Sequence, residues 1–176
     1  ILIFLGLPPH VANGTNRIVI LFQSITGTLG FKSKKVSSAP LDVYLGLTAT
    51  LGSVLGAQIA IEMEAALFNK ILAILMVCVG LLILFQKKQN SFELSPQLGG
   101  KKRIISMILF FFVGIYGGFI NAGIGFVILL ILTQINNLSI TQANSVKVAV
   151  VTIYTTAALL LFTYNQAVSW KLGLWM

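Results

Sequence analysis

The chain has 176 residues, of which 57% are hydrophobic and 9% charged, and its mean hydropathy is +0.95. A soluble domain carries about 25% charged residues, so this composition excludes a water-facing globule and predicts an integral membrane protein. The net charge of +8 would suggest nucleic acid on a soluble protein, but here the basic residues gather in short connections between apolar runs, where they orient a chain in a bilayer.

Ile1–Leu7 is too short to span a hydrocarbon core of about 30 Å and reads as the tail of something longer. Pro8 and Pro9 end it and pre-set the first turn of the next helix, where a missing N–H is harmless. That helix is expected over about His10–Phe31, followed by Lys32, Lys34 and Lys35. A second spanning helix is expected over about Leu41–Ile61, with Pro40 and Asp42 at its start and a Gly52/Gly56 pair that lets a neighbouring backbone come close. Glu62 and Glu64 form a short acidic connection to a third, about Ala65–Phe85. The polar stretch 86–103 carries Lys87, Lys88, Lys101, Lys102 and Arg103. The positive-inside rule then puts 32–39 and 86–103 in the cytoplasm and 62–64 outside.

The next apolar run, 104–132, would be about 43 Å long as a straight helix. Its centre holds Gly114, Gly117, Gly118, Gly123 and Gly125 around Asn121. One reading is a single tilted helix packed through Gly114 and Gly118. The other is a broken or re-entrant pair with Asn121 as N-cap of the second half. A polar turn, 134–139, leads to a last complete helix over Ile140–Tyr164, and 169–176 looks like the opening of another.

An internal repeat is visible. Setting Leu7 on Leu138 pairs Ala12 with Ala143, Asn13 with Asn144, Val19 with Val150, Phe31 with Phe162, Ser38 with Ser169 and Leu41 with Leu172. The division expected is 1–86 as a first repeat lacking its glycine-rich segment, 87–103 as a connection, and 104–176 as a second repeat lacking its last helices. Three spanning helices plus one re-entrant pair would give an odd number of crossings per unit and so inverted repeats, while four spanning helices would give parallel ones.

With these motifs in hand, GLPPHVANGTN leading into a helix and GGFINAGIGFVILL followed by TQANSVK, the chain resembles the sulfite exporter TauE/SafE family. The resemblance covers nearly the whole chain. It implies an all-α, polytopic, inverted-repeat transporter in the bacterial inner membrane that moves a small sulfur-containing anion such as sulfite, thiosulfate or an organosulfonate like sulfoacetate. Ser145-Val146 stands where the first repeat has Gly14-Thr15, so the two halves are expected to differ in binding.

Helix spacing puts Asn13, Asn16, Arg17 and Ile20 on one face, and Asn144, Lys147, Val148 and Val151 on the equivalent face of the second repeat. Each face joins amide donors and a cation to a helix N-terminus, a combination that suits an anion. The candidate binding residues are Asn13, Asn16, Arg17, Asn121, Asn144, Ser145 and Lys147. Candidate pathway residues are Gly14, Thr15, Gln23, Gly123 and Tyr154, with Thr26, Tyr116 and Thr155 behind them. The bland alternatives are that Arg17 and Lys147 reach out to the interface and that Asn13 and Asn144 only join helices. His10 reads as an interfacial turn residue and Cys78 as a packing residue.

One cysteine and one histidine leave no internal disulfide and no His pair for a metal, so neither metal nor cofactor is expected. All four acids, Asp42, Glu62, Glu64 and Glu93, fall at helix ends or in connections, which argues against a cation carrier. No nucleophile–base constellation suggests an enzyme. The partners expected are the anion, membrane lipid and a second copy in a homodimer, with no nucleic acid. An anion channel or a non-transporting scaffold is the alternative function.

Overall fold

The computed structural model describes residues 2–3, 6–36, 40–84 and 100–176. Glu93, Ser38, Lys87 and Lys88 lie outside them, as do most of the connection 86–103 and part of the connection 32–39. Among the described residues there are seven helices: α1 Pro9–Ser33, α2 Leu41–Glu62, α3 Ala65–Leu84, α4 Gly100–Phe119, α5 Ile124–Gln134, α6 Ile140–Tyr164 and α7 Trp170–Trp175. Three are long and apolar enough to cross a membrane: α2, the Lys102–Phe119 part of α4, and α6. The protein is an integral membrane protein with an all-α fold.

Local signals set the helix ends. Pro9 opens α1 as a helical N1 residue behind Pro8. Ser139 opens α6 with a capping box, in which its side chain accepts from Gln142 N and Gln142 reaches back to Ser139 N. Some boundaries differ from the sequence reading. α4 starts at Gly100, so 100–103 is helix rather than connection; Arg103 lies over the Tyr44 ring, 5.1 Å from its centroid, which anchors that first turn against α2. α1 runs on to Ser33 and so includes Lys32.

α1 has the length to cross but not the apolarity of the other three. Asn13, Asn16, Arg17, Gln23 and several hydroxyls lower its hydropathy, and part of that polarity is turned inward. Thr15, Arg17 and Ser24 are all buried.

α2 and α4 run parallel and nearly touch backbone to backbone. A Cβ on Gly52 would meet Phe111 O, and one on Gly56 would meet Ile115 O. In return, Gly114 faces Ala49 O and Gly118 faces Ser53 O. Both glycine pairs singled out in the sequence therefore form one zipper, facing each other.

The apolar run 104–132 is two helices. α4 ends at Phe119, Ile120–Gly123 intervene, and α5 starts at Ile124. α5 folds back along α4, since Ser106 near the start of α4 donates to Asn136 Oδ1, just past the end of α5, at 3.0 Å. The turn needs two left-handed residues, Asn121 (φ 57) and Gly123 (φ 71), which Asn and Gly adopt most readily. The expected N-cap is corrected here: Gly123, not Asn121, caps α5, and no side chain closes that cap.

α1 runs antiparallel to α6. Gly14 lies against Phe162 and Ala167, Gly27 lies against Val148, and Thr28 Oγ1 is 3.3 Å from Thr152 Oγ1. Ser145 Oγ donates to Val36 O at 2.7 Å. The end of α1 and the starts of α2, α4 and α6 thus share one end of the bundle, the end that carries Lys32, Lys34, Lys35, Lys102 and Arg103.

Cys78 is exposed on α3, which corrects its reading as a packing residue. α3 lies at the edge of the bundle and buries Phe68 near its start, while Leu67, Ile74, Met76, Val77 and Leu81 face outward. An exposed apolar face of this kind suits lipid, and Cys78 shares it.

Candidate functional site

Three elements meet at the break between α4 and α5. α1 supplies Ile20, Gln23 and Ser24; the turn and the first turn of α5 supply Asn121, Ile124 and Gly125; α6 supplies Lys147, Val148 and Val151. Between them lies a cavity of about 230 Å³. Lys147 is its cation. The side chain passes over Gly125, where a Cβ would sit 3.6 Å from Lys147 Cδ, and its Nζ donates to Asn144 Oδ1 at 2.8 Å. Asn144 in turn donates from Nδ2 to Ile140 O at 2.9 Å, so it steadies the lysine and lies outside the cavity lining.

Asn121 is held from behind by Tyr154 of α6, whose hydroxyl donates to Asn121 Oδ1 at 2.6 Å. Tyr116 of α4 holds the next residue of the turn, donating to Ala122 O at 2.5 Å. Gly123 is exposed and opens α5. The N–H groups of Ile124 and Gly125 precede the first hydrogen bond of α5, which Phe126 N makes to Gly123 O at 3.1 Å, and they carry the positive end of its dipole. Ser24 also lines this cavity. The sequence reading had noted its neighbour Gln23 alone; their shared helix face with Ile20 was the signal available.

Arg17 does something else. It is fully buried and does not line the cavity. Its Nη2 donates to the carbonyls of Gly117, at 3.1 Å, and Gly118, and its guanidinium lies over the Phe162 ring, 4.7 Å from the centroid. Asn13, one turn earlier, donates to Phe119 O at 2.6 Å. Together they close the C-terminal end of α4, where carbonyls have no intrahelical partner and a cation is favoured by up to about 2 kcal/mol. Arg17 Nε and Nη1 have no hydrogen-bond partner among the described residues.

The offset that pairs Asn13 with Asn144 puts Asn16 on Lys147 and Arg17 on Val148. The two cations occupy neighbouring positions of the repeat, not equivalent ones, and this is why one turns inward and the other faces the cavity. Asn16 is exposed. Thr15 Oγ1 accepts from Ser169 N at 2.9 Å and Gly14 packs on Ala167, so both join α1 to the 165–169 turn. Ser145 holds Val36 in the same way. Thr26 bonds its own helix, to Phe22 O and Gln23 O, and Thr155 is buried beside Tyr154. His10 sits in the first turn of α1.

A helical bundle with a broken helix, a basic cavity at the break and helices able to cross a bilayer defines a polytopic membrane protein of transporter type. The family model for sulfite exporter TauE/SafE matches residues 1–176, and the chain belongs to that family. Curated relatives have matching names. A "Probable membrane transporter protein" of Haemophilus influenzae is 26% identical over 98% of this chain and 67% of its own length. The "Probable membrane transporter protein YfcA" of Escherichia coli K12 is 27% identical over 96% of this chain and 62% of its own. A "Probable membrane transporter protein ORF9" of Sinorhizobium sp is 25% identical, with 97% and 65% covered. The chain thus spans about two thirds of the length of these relatives. No solved structure matches it at comparable significance.

Proposed function

We propose that the protein is a permease of the bacterial cell membrane that moves a small sulfur-containing anion, such as sulfite, thiosulfate or sulfoacetate, through the cavity at the α4–α5 break. One observation carries this reading. The cavity joins the Lys147 ammonium to the positive end of α5 and two amide side chains, and among the described residues no carboxylate lines it. Two positive features brought together in a low-dielectric setting repel each other unless an anion lies between them. Of the candidate binding residues, Lys147 and Asn121 line the site, with Gln23 and Ser24; Asn144 orients the lysine. Asn13 and Arg17 serve as supports of the hairpin tip.

Alternating access between two inverted halves is part of the proposal. α1 and α6, the helices the repeat equates, run antiparallel, as an axis in the membrane plane requires. Their partner contacts also correspond. Gly14 on Ala167 and Ser145 on Val36 are the same pair under the repeat offset. Gly173 meets Ile18, and Gly46 meets Ile153 with the same side-chain atoms. The offset carries the first of these contacts to positions 42 and 149, four residues before the second on both helices, so α7 packs on α1 much as α2 packs on α6. The hairpin α4–α5 leaves the bundle at the end where it entered, which supports a re-entrant pair. The end that carries Lys32, Lys34, Lys35, Lys102 and Arg103 is then cytoplasmic.

A scaffold without transport predicts Arg17 and Lys147 at the interface, whereas Arg17 is fully buried and Lys147 lines a cavity. The test is flux of labelled sulfite, thiosulfate and sulfoacetate into proteoliposomes of the full-length protein, with rubidium as a cation control. Saturable flux of at least one anion and none of rubidium is expected. Flux that never saturates would make it a channel, and no anion flux would remove the proposal.

A further inference from the structure

Which end of its amide Asn121 shows the cavity bears on how well the cavity suits an anion. Asn121 lines the cavity, and its two amide ends are opposite in character: Nδ2 donates to an anion, Oδ1 repels one. Tyr154 decides between them. The tyrosine is fully buried and its hydroxyl donates to Asn121 Oδ1 at 2.6 Å. If the amide turned over, Nδ2 would donate to the phenol oxygen, and the phenol proton would lose this acceptor, which is costly for a buried tyrosine. Asn121 Nδ2 makes no hydrogen bond among the described residues, so it remains the donor left for the cavity. We propose that Tyr154 is a positioning residue that fixes the Asn121 amide with its N–H face toward the cavity and thereby sets the site's selectivity for anions. This rests on the reading of the cavity as an anion site.

The backbone explains why asparagine stands at this point. Residue 121 has φ 57, a conformation that asparagine and glycine accept better than other residues. Glycine would make the same turn but offer no amide. Asparagine supplies the turn and the donor together. Tyr116, which holds Ala122 O, and Arg17 and Asn13, which hold Gly117, Gly118 and Phe119, fix the backbone of the tip. Tyr154 alone among them acts on the Asn121 side chain.

The experiment is a double-mutant cycle on the full-length protein in proteoliposomes, with sulfite as the probe: wild type, Tyr154→Phe, Asn121→Gly and the double variant, with KM and maximal rate measured for each. Tyr154→Phe is expected to raise KM about fivefold, the worth of one net hydrogen bond, with the maximal rate within about twofold. In the Asn121→Gly background the same change should have no further effect, because the amide it acts on is gone. Asn121→Asp, which keeps the size and the turn but presents oxygen alone, should abolish sulfite uptake. An unchanged KM in Tyr154→Phe, or an equal loss with and without Asn121, would overturn the positioning role, and so would full sulfite uptake by Asn121→Asp. If wild type takes up no sulfite and its melting temperature does not respond to sulfite, thiosulfate or sulfoacetate, the anion reading itself falls and this inference with it. That outcome differs from anion binding that is indifferent to Tyr154.

Discussion

The polar starts of α1 and α6 occupy equivalent places in the repeat and have opposite fates. At the start of α1, Asn13 and Nη2 of Arg17 donate to carbonyls at the end of α4, and the guanidinium lies over the Phe162 ring. At the start of α6, Asn144 turns to its own helix and leaves Lys147 facing a cavity. The same kind of residue therefore braces the hairpin tip in one half and lines the cavity in the other. A buried cation in a membrane helix marks a functional region, but here the more deeply buried of the two is a strut and the half-exposed one is the candidate ligand.

The largest expected effect tests the strut. Arg17→Ala should leave two α4 carbonyls without a donor and cost about 3 kcal/mol, seen as a large fall in the melting temperature of the detergent-solubilised protein. Arg17→Lys should recover part of it, since a single ammonium cannot reproduce the planar guanidinium over Phe162. An unchanged melting temperature in Arg17→Ala would erase the contrast between the two helix starts.

The next comparison swaps matched positions. Gly14→Ala should cost about 2 kcal/mol, because its Cβ would meet Ala167 O and the Phe162 ring. Ser145→Ala, at the equivalent position, should lose one hydrogen bond to Val36 O, worth about 1 kcal/mol. Equal effects would argue against the difference in packing between the halves. Asn16→Ala, exposed on the same turn as Arg17, should change stability by no more than about 0.5 kcal/mol, measured by the same melt.

Much of the helix framework was legible because the signals are local. The Pro8-Pro9 stop, the acidic pair after Ile61 and the polar turn before Ile140 mark where α1, α2 and α6 begin or end. The Gly52/Gly56 and Gly114/Gly118 spacings announced a close helix contact, though not that the two would face each other. Length and glycine content in 104–132 allowed a break but left a single tilted helix open, and the cap was not legible: Asn121 and Gly123 both tolerate positive φ, and Tyr154, far along the chain, claims the Asn121 side chain. The fate of Arg17 was hidden for the same reason. Its acceptors are carbonyls about a hundred residues away, and backbone acceptors leave no trace in residue type. Lys147 was found by its residue type, yet matching it with Arg17 passed over the register, which sets it on Asn16.

The most direct measurement of the central claim is anion uptake by Lys147→Ala beside its melting temperature, in the full-length protein. The cavity reading predicts a melting temperature within a few degrees of wild type, because the half-buried lysine loses only its bond to Asn144, and sulfite uptake lowered at least tenfold at low substrate. Wild-type uptake by this variant would contradict the claim that the cavity at the α4–α5 break is the anion site.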